Sequence, residues 1–243
     1  MRVDYGAMLL LSASAGFLGT GLGGLIAILL PRLSSRAISR ILHFTGGLML
    51  SIVCFELLPE ALVLNETTAI ASLLAGIAVM LLSDVALTHI GRWRGSNTML
   101  RSGMLIGIGI ALHNFPEGLA VGAGYADAPV FGLALCLAIV LHDVPEGLSM
   151  ALPLREGGMK LYRVLLLALL SGMPTLLGAI IGQIAGNTGP LALAVCLGLA
   201  GGAMLQITCA SLLPEAQKKG AGRLETLLLS LGVVTGCLLA VWL

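Results

Sequence analysis

Long apolar runs broken by short polar connections set the pattern of this chain. Eight of them, near residues 6–30, 41–64, 68–90, 102–123, 130–152, 163–185, 190–212 and 224–243, are mostly apolar. Each has the length of about 20 residues that a helix needs to cross a bilayer core. Barrel strands would be about 10 residues of alternating polarity, whereas these runs are longer and apolar throughout. The pattern predicts an all-α integral membrane protein, with eight transmembrane helices in a single polytopic domain over residues 1–243.

Composition agrees with that reading and adds an orientation. The chain is 58% hydrophobic and 10% charged, well below the roughly 25% charged residues of a soluble domain. Its 13 basic residues are unevenly placed. Arg32, Arg36 and Arg40 precede the second run, and Arg92, Arg94 and Arg101 the fourth. Arg155, Lys160 and Arg163 precede the sixth, and Lys218, Lys219 and Arg223 the eighth. Only Arg2 stands elsewhere, and the intervening connections (65–68, 124–129, 186–189) carry no Lys or Arg. Basic loops stay in the cytoplasm, so both termini are expected outside it. Ala13-Ser14-Ala15 has the look of a cleavage site. Arg2 is offset by Asp4, however, and cleavage would halve the first span, so a signal peptide is not expected. Cys54, Cys136, Cys196, Cys209 and Cys237 lie within spans without Cys-x-x-Cys spacing and read as packing residues.

Two internal repeats organise the chain. Gly46-Gly47-Leu48-Met49-Leu50 through Leu57-Leu58-Pro59-Glu60-Ala61 matches Gly201-Gly202-Ala203-Met204-Leu205 through Leu212-Leu213-Pro214-Glu215-Ala216. His113-Asn114-Phe115-Pro116-Glu117-Gly118 matches His142-Asp143-Val144-Pro145-Glu146-Gly147. Both pairs lie an odd number of spans apart, so the matched helices run in opposite directions. A pseudo-twofold axis in the membrane plane, relating spans 1–3 to 6–8 and span 4 to 5, explains both offsets. Many of the 33 glycines fit the close approach of membrane helices.

The second repeat carries the chemistry. Residues three or four apart share a helix face, which groups His113, Asn114 and Glu117, and likewise His142, Asp143 and Glu146. Ionisable residues at such depth face a cavity, pair with one another or hold an ion. Pro116 and Pro145 cannot donate to the carbonyls of Leu112 and Leu141, and a kink is expected at each. Two imidazoles, three carboxylates and one amide, without thiolates, suit divalent Zn, and equally Fe, Mn, Co or Cd. Three carboxylates around one divalent ion leave an excess negative charge that a second cation or protons would offset. A lone intramembrane His also serves as a helix-packing hydrogen-bond partner; the doubled motif on antiparallel neighbours favours one shared site.

The paired strings His-Asn-Phe-Pro-Glu-Gly and His-Asp-Val-Pro-Glu-Gly resemble the hallmark of the ZIP family of divalent metal transporters. The Met49-Leu50 to Leu58-Pro59-Glu60-Ala61 stretch of span two is similar to that family as well. The likeness covers the whole chain. It implies carriage of zinc or a related metal toward the cytoplasm, as a homodimer. It further implies His113, Glu117, His142, Asp143 and Glu146 as primary ligands, with Met49 adding a thioether. Asn114 would join Glu117, Asp143 and Glu146 at an adjoining site. Where many relatives place an acid in span six, this chain has Thr175, which favours one tightly held metal. The His-rich loop of many eukaryotic members is absent between Gly91 and Arg101.

Glu56 and Asp84 stand apart from the motif, as transient ligands or proton carriers along the path or as interhelical hydrogen-bonding groups. Beside Pro59, Glu56 favours the pathway role. His43 and His89 lie near the cytoplasmic boundary, and Trp93 reads as an interface anchor. An intramembrane zinc hydrolase is the rival function, with Glu117 or Glu146 as base on metal-bound water; no His-Glu-x-x-His string supports it. A metal-responsive receptor would need a sensing domain. The expected partners are the metal, the lipid bilayer and a second copy, without nucleic acid. No catalytic cofactor is expected. Small size and the lack of eukaryotic loops suggest a bacterial inner membrane.

Overall fold

A computed structural model describes residues 5–30, 34–90, 98–127 and 129–242. Arg2, Arg32, Arg92, Trp93 and Arg94 lie outside the described residues, as do the side chains of Asp84, His89 and His113.

The described elements are helices: α1 (Tyr5–Leu29), α2 (Ser35–Ile52), α3 (Leu58–Leu64), α4 (Glu66–Ile90), α5 (Thr98–Asp127), α6 (Pro129–Glu156), α7 (Leu161–Gly186), α8 (Pro190–Ile207), α9 (Leu213–Lys219) and α10 (Arg223–Trp242). Seven segments among the described residues are long and apolar enough to cross a membrane, with α2–α3 and α8–α9 each counting as one. α10 follows as a further helix of 20 residues. α2 starts well before the apolar run at 41 because Ser34 caps it: the Ser34 hydroxyl accepts the Ala37 N–H at 3.2 Å. Such a cap satisfies one orphan donor of the first turn, so the turn bearing Arg36 and Arg40 is helical.

Pro116 and Pro145 stand inside the continuous helices α5 and α6. Each lacks an N–H, but the surrounding bonds carry the helix through. The described departures from α geometry fall beside Pro59 and Pro214. A π turn, Val53–Leu57, joins α2 to α3, and another, Thr208–Leu212, joins α8 to α9. The cause is local. Pro59 cannot bond the carbonyl four residues back, and its ring crowds that turn. Widening the turn by one residue lets Leu58 N–H reach Val53 O, and Leu213 N–H reach Thr208 O.

α1, α5, α6 and α7 pack on one another, while α2 pairs with α10 and α4 with α8; contacts of α5 with α8 and of α2 with α6 join the groups. Missing side chains set these contacts. On α5, Gly118 faces the backbone carbonyl of Thr175 on α7, and on α6, Gly147 faces that of Thr20 on α1. Likewise Gly47 of α2 meets the Leu229 carbonyl of α10, and Gly202 of α8 meets the Leu73 carbonyl of α4. A Cβ at any of the four would collide with the oxygen it faces. Gly118 and Gly147, Gly47 and Gly202, and the π-turn starts Val53 and Thr208 fall at positions that the sequence repeats align.

Polar ties hold the ends. Arg155 Nη1 donates to the carbonyls of Ala27 (2.5 Å) and Leu30 (2.9 Å), closing the C-terminus of α1 with a positive charge. Arg40 pairs with Glu225 at 3.3 Å, and Ser39 Oγ donates to Gly220 O at 2.6 Å, which fastens α2 to α10 and its preceding turn.

Candidate metal centre

α5 and α6 lie side by side within the four-helix group and turn their acidic and imidazole residues toward each other. His142 Nε2 of α6 stands 3.0 Å from Glu117 Oε1 of α5, and 3.5 Å from Asp143 Oδ1. One ligand atom from each of the three lies within 4.8 Å of those of the other two. Glu117, His142 and Asp143 are 1% exposed or less, and Glu146 is 3%. Glu146 follows His142 by four residues and Asp143 by three on α6, which puts the three on one helix face. The motif read from sequence as two helical faces is therefore one buried cluster, fed by Glu117 from one helix and by His142, Asp143 and Glu146 from the other. His113 occupies its expected place on α5 one turn before Glu117, while its side chain lies outside the described set.

Two further helices shape the cluster. α1 passes so close that a Cβ on Gly19 would strike the Asp143 side chain; only glycine leaves that carboxylate its room. Beside α1, α7 engages Asn114, whose Nδ2 donates to Ser171 O at 2.9 Å. Asn114 Oδ1 has no hydrogen-bond partner among the described residues, and neither does the buried Thr175 Oγ1. A bound cation would satisfy such oxygens.

Met49 is fully buried, in the same apolar core as Leu119 of α5 and Ile139 of α6. The contact seen for its sulfur is with Thr208, whose Oγ1 lies at 3.6 Å. Glu56 sits in the first π turn, 9% exposed, with Oε2 lacking a hydrogen-bond partner among the described residues. His43 is buried midway along α2, its Nδ1 2.8 Å from Ser39 O. Asp84 falls on α4, with its side chain outside the described set. Sequence reasoning gave Gly19 and Ser171 no part in the site and missed Thr208, because each acts through a helix distant in the chain.

The cluster's chemistry is that of a divalent metal centre. Zinc holds imidazole nitrogen and carboxylate oxygen at about 2.0–2.2 Å, nearly always in a tetrahedron, which places neighbouring ligand atoms about 3.4 Å apart. The two distances from His142 Nε2 bracket that spacing. Without a cation the buried carboxylates repel one another and are costly. A doubly charged ion removes that cost, and one imidazole among acids suits zinc and its transition-metal neighbours better than the oxygen-only ions.

Comparison with known proteins points the same way. The ZIP Zinc transporter family matches residues 90–243. The chain is 33% identical to a zinc transporter ZupT of Akkermansia muciniphila, across 98% of this chain and 97% of that protein. It is 40% identical to the zinc transporter GufA of Myxococcus xanthus over 58% of this chain and 56% of the relative. With the zinc transporter ZIPB of Bordetella bronchiseptica it shares 32% identity, over 90% of this chain and 75% of that one.

Proposed function

The chain belongs to the ZIP family of zinc transporters, and from that premise we propose how its buried cluster carries the metal. It is an integral membrane protein that imports zinc or a related divalent metal, and it is a transporter, not an enzyme. The hydrolase reading finds no support among its relatives. In our reading the metal pauses between α5 and α6, bound by Glu117, His142 and Asp143, with His113, Glu146 and Met49 completing the shell and Asn114 on its flank. The observation that carries this is the convergence of Glu117, His142 and Asp143 within 4.8 Å, out of reach of solvent. Thr175, neutral where a bridging acid would stand, favours a single ion. Fe, Mn, Co and Cd ions would fit the same donors.

Around this centre the chain crosses the membrane eight times, α10 supplying the last span. Spans 1–3 and 6–8, and spans 4 and 5, are related by a pseudo-twofold axis in the membrane plane. The matched π turns and matched glycine-to-carbonyl contacts support that relation. A repeat pair of this kind suits alternating access, with one group of helices shifting against the other around the ion. Basic connections place both termini outside the cytoplasm. The bacterial relatives support a bacterial inner membrane as its location, and the homodimer is what the family resemblance implies. Glu56 and Asp84 serve the path as transient ligands or proton carriers.

Reconstitution into liposomes loaded with a zinc fluorophore tests the site. Zinc influx is expected from the unaltered protein and not from Glu117→Ala or Asp143→Ala. Influx that persists in both variants would remove the cluster from the transport path.

A further inference from the structure

A cleft opens between α4 and the pair α5 and α7. It holds about 550 Å3, within the about 300–1,000 Å3 of small-molecule sites. Val79, Met80 and Ser83 of α4 form one wall. Met104, Ile108 and Ala111 of α5 and Leu167, Leu170 and Pro174 of α7 form the other. Val79, Met104, Ile108 and Leu170 are exposed, so the cleft opens sideways, toward the acyl chains of a bilayer.

Its lining suits hydrocarbon and rejects ions. Among the described residues the polar side chains that line it are Ser83 and Ser171, and both hydroxyls are already used. Ser83 Oγ donates to Val79 O and Ser171 Oγ to Ala168 O, each at 2.8 Å. A charged or hydrated occupant would give up its water without replacement, whereas an apolar chain supplies the contacts that an empty gap lacks. Along α5 the cleft runs from Gly103 to Pro116, about 20 Å at about 1.5 Å per residue. One leaflet of a hydrocarbon core about 30 Å thick is about 15 Å deep. The cleft can therefore take one acyl chain from the interface to the midplane.

One end of the cleft is basic. Arg101 precedes Met104 by three residues and Ile108 by seven, and Arg163 precedes Leu167 by four and Leu170 by seven. Each lining stripe thus begins, one turn earlier, with an arginine. α5 and α7 run parallel, with Phe115 against Gly178 and Leu119 against Gly182; Arg101 and Arg163 keep that register and stand at one level. Both are exposed, and neither pairs with a carboxylate among the described residues. Arg163 lies 5.7 Å from the centre of the Tyr162 ring, and its Nε donates to the Tyr162 hydroxyl at 3.1 Å. Such an exposed tyrosine marks the membrane interface, where guanidinium groups meet lipid phosphates.

We propose that the cleft binds an anionic phospholipid of the leaflet on the basic side of the protein. One acyl chain lies between α4 and the α5–α7 wall, and Arg101 and Arg163 hold the phosphate. α4 packs with α8, whereas α5 and α7 belong to the metal-bearing group, so the chain fills the seam between two groups of helices. The site stands apart from the metal centre and holds its lipid whether or not zinc is bound.

The test uses the full-length protein in phosphatidylcholine vesicles that contain a trace of phosphatidylglycerol with a photoreactive diazirine midway along one acyl chain. After illumination, adducts are mapped by peptide mass spectrometry. They are expected within 79–83, 104–116 and 167–174. Unlabelled phosphatidylglycerol should suppress them at about one-tenth of the concentration that zwitterionic phosphatidylethanolamine needs. With Arg101→Gln and Arg163→Gln together that preference should vanish, and a preference that survives overturns the phosphate assignment. Ala111→Phe, whose ring would fill the cleft, should lose the cleft adducts while those at the exposed Leu227 of α10 remain. Adducts spread evenly over the exposed apolar faces, or cleft adducts unchanged in Ala111→Phe, overturn the site. So does their absence from the unaltered protein; a disulfide between two copies of Met104→Cys would then assign the cleft to contact between copies. If Ala111→Phe does not fold, the adduct map of the unaltered protein decides.

Discussion

Removing a single ligand should separate binding from folding. Glu117 and Asp143 are buried carboxyl groups that a cation would hold ionised, so Glu117→Gln keeps the shape of the site while removing the acid. A lost ligand should cost at least the about 10–100-fold that loss of a ligand's supporting partner costs. We therefore expect Glu117→Gln to lower zinc affinity by about 100-fold or more, measured by competition with a zinc chelator. The unfolding temperature without metal should stay level or rise, because one buried charge is gone. A variant that loses thermal stability yet keeps its zinc affinity would mean that Glu117 is a packing group. At this scale the sequence was informative where residue types repeat: the twin His-x-x-x-Glu strings marked Glu117, His142 and Glu146, and helical spacing brought in Asn114 and Asp143. Gly19, which leaves room for Asp143, and Thr208, which touches Met49, could not be read that way, since a glycine or threonine in an apolar run announces no partner.

Helices follow from apolar length, and their joints from proline. The Leu-Leu-Pro-Glu string occurs twice, and each copy is preceded by a π turn; the string signalled a break, but nothing local distinguishes a π turn from a kink. Pro59→Ala removes the reason for the wider turn. We expect the segment to relax toward α geometry, rotating Glu56 about 100° around the helix axis. Zinc uptake should fall several-fold with the fold retained by circular dichroism, and normal uptake would detach the turn from transport. Contacts between helices offer a stability test. In Gly147→Ala a methyl would meet the Thr20 carbonyl, and overpacking of this kind costs about 1–3 kcal/mol. A lowered unfolding temperature is expected. The same substitution at Gly109, whose Cβ would meet nothing within 4 Å, should leave it unmoved.

At the scale of the whole molecule, charge carries the proposed orientation and duplication the proposed symmetry. Basic connections alternate with neutral ones, so the loop at Thr188 should face outside and that at Glu156 inside. With Cys54 and Cys209 changed to serine, a membrane-impermeant maleimide on intact cells is expected to label Thr188→Cys. Glu156→Cys should react only after permeabilisation, and the reverse pattern would invert the topology. Two repeats with different offsets led the sequence to an expected axis; which glycine meets which carbonyl was not legible, because sequence does not fix how antiparallel helices pair. The claim on which the rest depends is that a divalent ion sits between α5 and α6. A crystal structure of the zinc-loaded protein, phased to locate zinc by its anomalous scattering, measures this directly. A zinc peak is expected within about 2.0–2.2 Å of Glu117, His142 and Asp143 ligand atoms. A zinc peak elsewhere, with those three side chains still paired only to one another, would contradict it.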